Sequence, residues 1–553
     1  PGLGVQECVD RLKCFHYALQ RIWQTLLTRI ACEPIYELKM GYSYHAYLAA
    51  EHISLLRDRV AELRHPPLGL AKVPHEKLEI FFDEIRNAPD RERLLAGLYR
   101  VALPALCESM RAYRKETNPL ADAPGLRVLR MVLPEVEAMV AWGEEACVAL
   151  ENSDPDERED HTEWLEELRG WLAASGGLAG TEVEGNAPLP RYSADEFLYN
   201  STPQRDERFP DPYNMGVHAE EFLYDESFES RDKIFMMFYK RIREIDVSEM
   251  MASILYEIVT ESGDEEAGGR PWGFFRDMTR QLWDEARHAM MGEVGFARAG
   301  IDWPSKVMIN FTWSKGLNEQ LTPRERHAIL WFIEQGLMSR TGKRHEWEVG
   351  TDSGDEFAQL IQDFDWADEV LHARIGRDWY VKDFETVAEA ADYGSACWDK
   401  VVSDWEQWKR EGLTEHRNWW PDLYREVCRH RGEEPDPRVL AYDRSYAETR
   451  ADLQRIAASG EADFNLREAI KPGTQGRRTP SSIILALDQR GRMRAGVGLP
   501  VTRSNSSGVR SLGICSRVRR RHCLYSTRRR SRVSWCTGSR ARSLSSWGSV
   551  VRS

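Results

Sequence analysis

The residues of this chain best suited to chemistry are two copies of one pattern, D-E-x-x-H-A-x-x-G. Asp284, Glu285, His288, Ala289 and Gly292 form the first copy, in DEARHAMMG. Asp368, Glu369, His372, Ala373 and Gly376 form the second, in DEVLHARIG, 84 residues further on. Residues three apart on a helix share a face, so Glu285 with His288, and Glu369 with His372, can each offer a carboxylate and an imidazole to one metal ion. A lone E-x-x-H is weak evidence, because a chain with 14 histidines yields about one by chance. Glu62 and His65 make such a pair, beside Pro66 and Pro67, which cannot continue a helix. It lacks the neighbouring Asp and Gly and is read as the chance match.

Two more carboxylates stand upstream of the copies. Glu257 precedes Glu285 by 28 residues, and Glu334 precedes Glu369 by 35. Either interval lets the chain leave one helix, turn and return in the next. Leu330, Leu337 and Met338 lie one turn from Glu334, so its carboxylate faces an apolar stripe, where an unpaired acid is costly. Glu261, one turn after Glu257 on the same face, is an alternative ligand.

The order Glu, ExxH, Glu, ExxH over residues 231–385 resembles the ferritin-like di-iron carboxylate superfamily, whose four-helix bundles take one Glu from each of two helices and an ExxH from each of the others. The second copy runs on as HARIGRDW to Trp379, which is similar to a poorly characterised ferritin-like family whose last bundle helix reads DExxH and then GxxW. Some members of that family are named after a tRNA hydroxylase.

The resemblance implies that Glu285 and Glu369 bridge two ions, that Glu257 with His288 completes one, and that Glu334 with His372 completes the other. It further implies that Asp284 orients His372 and Asp368 orients His288, since a ligating imidazole usually donates its free N–H to a carboxylate. Four glutamates balance two divalent cations. Oxygen-rich ligation with one imidazole per ion suits iron or manganese better than structural zinc. The expected cofactor is therefore two Fe ions, or Mn, or a mixed Mn/Fe pair. The expected function is an oxidase or oxygenase that takes dioxygen or peroxide and a small organic substrate. A ferritin-like metal-binding or peroxide-handling protein, and a helical protein with a purely structural metal site, stay open. No catalytic residue beyond the ligands is assigned. Gly292 and Gly376 weaken a helix one turn after each histidine, so close helix crossings are expected there.

Helices must position these residues, and the apolar spacing is helical almost throughout. Helices are expected at about 6–33, 43–64, 74–87, 91–116, 125–151 and 159–174, then at 231–262, 273–300, 322–342 and 355–385. The expected fold class is all-α. Residues 1–152 form an N-terminal helical domain without the metal set, read as a scaffold or a degenerate bundle. Residues 153–230 form a linker with a short helix that drapes over the next domain. The 231–385 bundle is followed by a helical extension over 386–470, whose Trp398, Trp405, Trp408, Trp419 and Trp420 are read as core.

From residue 471 acids almost vanish. Residues 471–553 carry 18 Arg and one Lys against one Asp, net +18, which leaves −32 on residues 1–470. The tail is read as a disordered basic segment or a stretch translated out of frame. So acidic a body disfavours nucleic acid as its partner. Seven scattered cysteines in 1–470, none in a CxxC, suit a reducing, cytoplasmic setting. No run of about 18 apolar residues indicates a membrane span, and the first residues, PGLGVQECVDRLK, contain no signal-peptide core. A homo-oligomer is compatible with this composition.

Overall fold

The computed structural model describes residues 2–63, 68–153, 161–187, 191–193, 195–263, 269–338, 342–401 and 405–446. His65 and the basic 471–553 segment lie outside them. Among the described residues the protein is all-α, with no strand. The N-terminal part comprises α1 (Val5–Ile30), α2 (Tyr36–Leu63), α3 (Glu76–Arg86), α4 (Arg91–Leu95), a π-helical stretch (Ala96–Ala102), α5 (Leu103–Glu116), α6 (Ala123–Ser153) and α7 (Thr162–Ala174). There follow α8 (Ala219–Tyr224), α9 (Ser230–Ile242), α10 (Ile245–Ser262), α11 (Trp272–Arg298), α12 (Trp303–Lys306), α13 (Thr312–Gln320), α14 (Pro323–Leu337), α15 (Lys343–Asp352) and α16 (Glu356–Trp379). The chain then forms α17 (Val387–Lys400), α18 (Trp405–Arg410), α19 (Trp420–Arg431) and α20 (Pro437–Leu440). Among the described residues no helix is long and apolar enough to cross a membrane.

Local chemistry sets several boundaries. Thr322 accepts from the Glu325 backbone N–H while Glu325 bonds back to Thr322, a capping box with Pro323 at the first helical position. Asp355 accepts from the backbone N–H groups of Phe357 and Ala358 and so starts α16. Two boundaries differ from the sequence expectation. The expected helix over 231–262 is broken at Arg243–Glu244, and a further helix, α15, stands between α14 and α16. At the break, Glu244 N–H bonds to Arg241 O at 3.0 Å and Asp246 N–H to Arg243 O at 3.0 Å. These i→i+3 bonds tighten one turn and redirect the helix.

Two apolar clusters meet inside the molecule. The first runs from Phe15, Trp23 and Ile53 of the N-terminal helices through Leu255 and Leu282 to Trp331 and Ala391. The second gathers Phe222, Phe238, Phe296 and Trp420. Helix α11 passes from the first cluster at Leu282 to the second at Ala286. Helix α16 passes from the second at Ile361 to the first at Ile375. The DExxH motifs lie at or beside these crossover points on both helices. Residues 1–152 and the metal-motif helices thus share a core.

The connection before α8 contacts α10 through Arg205. Arg205 is buried against Asp246 and Glu249, Lys39 of α2 also reaches Glu249, and Ser314 donates to Glu249 at 2.9 Å. Two cations facing two anions leave this buried set neutral, which limits its desolvation cost. In the C-terminal extension Trp419 and Trp420 are buried, and Trp408 packs at a tilt on Tyr213, with ring centroids 4.8 Å apart. Cys8, Cys14, Cys32, Cys107, Cys147, Cys397 and Cys428 are free thiols.

Both motif glycines mark close crossings. A Cβ on Gly292 would lie 2.4 Å from Phe238 O and 2.7 Å from Ile242 N, so the backbones of α9 and α11 touch there. A Cβ on Gly376 would lie 2.2 Å from the Trp331 ring of α14. Gly292→Ala should therefore cost about 1–3 kcal/mol or more, since backbone cannot yield as a side chain does. Gly336→Ala, with nothing within 4 Å of its new Cβ, should be neutral or stabilising by up to about 1 kcal/mol. Chemical denaturation of the two variants checks the pair; equal stabilities would refute the crossing.

Three buried histidines are held neutral. Burial lowers His45, whose Nδ1 lies 2.7 Å from the Tyr99 hydroxyl, to about 3. Burial also lowers His16, helped by the Arg57 cation, and His327, helped by Arg270, each to about 3. Their unfolded values are near 6.5, so the unfolded chain binds these protons first as pH falls. The stability they contribute is complete above about pH 6.5 and is lost as pH falls toward about 3. His45→Asn, whose amide oxygen can still accept from Tyr99, should flatten the fall of melting temperature between pH 7 and pH 4.5. Parallel curves for variant and wild type would contradict this.

Candidate metal centre

Four helical segments converge where the two apolar clusters meet. Helix α11 supplies Glu285 and His288, α16 supplies Glu369 and His372, α14 supplies Glu334, and the turn between α9 and α10 supplies Glu244. Their ligand atoms form two overlapping sets, Glu244–Glu285–His288–Glu369 and Glu285–Glu334–Glu369–His372. Within each set all four atoms lie within 4.8 Å of one another, close enough to share one ion. Glu285 and Glu369 belong to both sets. The imidazole centroids of His288 and His372 are 6.0 Å apart.

Side-chain hydrogen bonding gives an independent test of whether the residues suit metal ions. Glu244 Oε2, Glu285 Oε1, His288 Nδ1, Glu334 Oε2, Glu369 Oε2 and His372 Nδ1 are all buried without a well-formed hydrogen bond, and face one another instead, His288 Nδ1 at 3.1 Å from Glu244 Oε2 and His372 Nδ1 at 3.2 Å from Glu285 Oε1. Those six atoms are one from each of the six residues of the two sets. Buried polar atoms are normally satisfied, and each orphan costs about 1–3 kcal/mol. Six that converge on one volume have the chemistry to hold a metal ion.

The electrostatics agree. Burial and the neighbouring carboxylates Glu369 and Glu285 push the Glu334 carboxyl well above its ordinary range. Burial also raises Glu285. Burial would raise Glu369 too, but Lys343 and His372 hold it well below. Against the cost of burial, Asp368 and Glu244 raise His288 to about 10, and Asp284, Glu285 and Glu369 raise His372 well above the usual imidazole value. Protons on Glu334 and on the imidazoles thus offset a crowd of negative charge, the role that divalent ions fill in a loaded centre.

The imidazoles are held from behind by the crosswise pairing. His288 Nε2 lies 3.1 Å from Asp368 Oδ2, and His372 Nε2 lies 3.4 Å from Asp284 Oδ2. Each Nδ1 then turns toward the centre. The two aspartates are tied together by Arg287, whose Nη2 donates to Asp284 Oδ1 and Asp368 Oδ2 at 2.7 Å each, and Arg280 adds a second cation on Asp284.

One expected ligand is elsewhere. Glu257 is ion-paired with Arg326, is half-buried, and belongs to neither set; Glu261 is exposed. The carboxylate at that position comes from Glu244, 13 residues earlier. The break after α9 is the physical reason, because it turns Glu244 inward at a point where an uninterrupted helix places no special residue. Its only trace in sequence is the charged run KRIRE within an otherwise apolar stretch. Sequence reasoning also missed Lys343, Arg241 and Asp365, which surround Glu244, and Gln281, whose Nε2 donates to Glu334 Oε1 at 3.1 Å. The Trp379 that closes the second motif donates its indole N–H to Asp277 of α11 at 2.8 Å, which ties the end of α16 to α11.

Comparison with known protein families, curated proteins and solved structures finds no match to this chain. Glu244→Gln should therefore weaken binding of one ion, whereas Glu257→Gln should leave metal content unchanged. Elemental analysis after reconstitution checks this, and the reverse result would restore Glu257 as the ligand.

Proposed function

We propose that this protein is a ferritin-like di-metal carboxylate protein that holds two iron or manganese ions and uses them to activate dioxygen on a small organic substrate. The observation that carries the reading is the pair of four-ligand sets sharing Glu285 and Glu369, with all six ligating side chains orphaned toward one volume. Four carboxylates and two imidazoles would hold two ions with fewer protein ligands than closed structural sites supply. Redox-active ions bound there would supply the electron chemistry. The chain's own residues do the rest: Glu285 and Glu369 hold the ions together, Glu244 and Glu334 cap the two ends, and Asp284 and Asp368 fix the imidazoles so that they cannot swing as the carboxylates adjust.

The full chain should bind about two Fe or Mn ions, by the count of four Glu and two His. The reduced, iron-loaded protein should consume oxygen in a fast phase seen with an oxygen electrode. His288→Ala and His372→Ala should each abolish that phase, and Asp284→Asn should slow it while keeping most of the metal. Two bound ions with no oxygen uptake under any reductant would leave a structural metal site as the correct reading.

A further inference from the structure

The two ion positions have similar ligands but different surroundings. At the end capped by Glu334, the terminal carboxylate has one neutral neighbour, the Gln281 amide, at 3.1 Å. At the other end Glu244 Oε1 lies 3.0 Å from Arg241 Nη2 and 3.5 Å from Lys343 Nζ. Lys343 Nζ also lies 2.7 Å from Glu369 Oε1, an oxygen of a carboxylate that both positions share. Asp365 is engaged by both cations, at 2.9 and 3.1 Å from Lys343 Nζ and in direct contact with Arg241. Its Oδ1 is 3.6 Å from His288 Nδ1, so at the His288 position a carboxylate stands between the imidazole and these two cations.

The placement of Lys343 is locally unfavourable twice over. It is fully buried, and it is the first residue of α15, where the positive end of the helix dipole repels a cation. Only the carboxylates Glu369, Asp365 and Glu244 hold it there. A buried lysine set against its own helix and bonded to a bridging ligand acts on that ligand: it draws charge from Glu369 and sets a positive charge beside one ion position. Among the described residues, Lys343 reaches the Glu334–His372 end only through the shared Glu369, and neither Glu334 nor His372 is ion-paired with a lysine or arginine.

We propose that the two positions are unequal, that the Glu334–His372 position fills first, and that Lys343 holds the Glu244–His288 position to a weaker affinity. This rests on the di-metal reading above and adds an order of loading and the residue that sets it. Like charges at these separations in a buried setting are worth far more than in water, so the gap should be at least tenfold in Kd.

Titration of the metal-free full chain with Mn(II), read by the electron paramagnetic signal of the free ion, tests it. Wild type should take up two ions in steps at least tenfold apart. Glu334→Gln should remove the tight step and Glu244→Gln the weak one. Lys343→Met should tighten the weak step tenfold or more, while Lys343→Arg should keep the gap. Two equal steps in wild type, or loss of the tight step in Glu244→Gln, overturns the proposal, and does so even if Lys343→Met does not fold. A weak step unmoved in a folded Lys343→Met overturns the role of the lysine. If wild type binds no Mn(II), Fe(II) or Co(II) at all, the di-metal reading itself falls, a result distinct from two equal steps.

Discussion

Burying four carboxylates side by side is the constraint on which the rest of this structure depends. Two like charges about 4 Å apart repel by about 4 kcal/mol at the effective dielectric of a protein site. Glu244, Glu285, Glu334 and Glu369 all lie within ligand distance of a neighbour in the set. Their summed repulsion is comparable to the whole stability of an ordinary domain, about 5–15 kcal/mol. Such a cluster persists only if cations or protons enter it. The shifts of Glu334, His288 and His372 are the protonic answer, and the same side chains are grouped so that they could hold a metal ion instead.

The surrounding fold absorbs what remains. Behind each imidazole stands an aspartate, and between the aspartates stands Arg287, so charge alternates outward from the centre: carboxylate, imidazole, carboxylate, guanidinium. The alternation fixes which imidazole nitrogen faces inward and ties α11 to α16 across the site. It works only if those helices are close, and the glycines secure that. Gly292 lets α11 lie against the backbone of α9, which carries the turn with Glu244, and Gly376 admits Trp331 of α14, the helix that carries Glu334. The motif's last residue thus brings the two outer carboxylates within reach of its first three.

What was legible in the sequence follows from this. Both DExxH motifs, the inward face of Glu334 and the close crossings could be read because each depends on spacing within one regular helix, whereas the crosswise aspartates came only from the resemblance. The all-α class and most helix boundaries were legible for the same reason. Glu244 was not, because its role depends on a break in a helix whose apolar pattern continues through it. Glu257 has the better spacing to Glu285, but its side chain meets Arg326, a partner that only the tertiary structure brings near. Lys343 was illegible for a related reason: α15 is a short helix placed by α9 and α16, and nothing in its sequence marks the first residue as buried.

The same contrast bears on why the N-terminal helices are there. An isolated bundle of α9–α16 would expose the Leu255, Phe275 and Leu282 side that α1 and α2 cover. Trp23 of α1 packs on Trp272 and Phe275 at 5.4 and 5.7 Å and donates its indole N–H to Thr279 at 3.1 Å, less than two turns before Glu285 on α11. Lys39 of α2 completes the neutral set around Glu249, which lies in the helix that follows the Glu244 turn. The N-terminal region therefore grips α10 just after the turn that carries Glu244, and α11 just before Glu285. A turn that must hold a carboxylate among two cations and an imidazole needs fixed ends. Rigid packing by α1 and α2 supplies them, which gives that region a mechanical reason to share a core with the metal-motif helices.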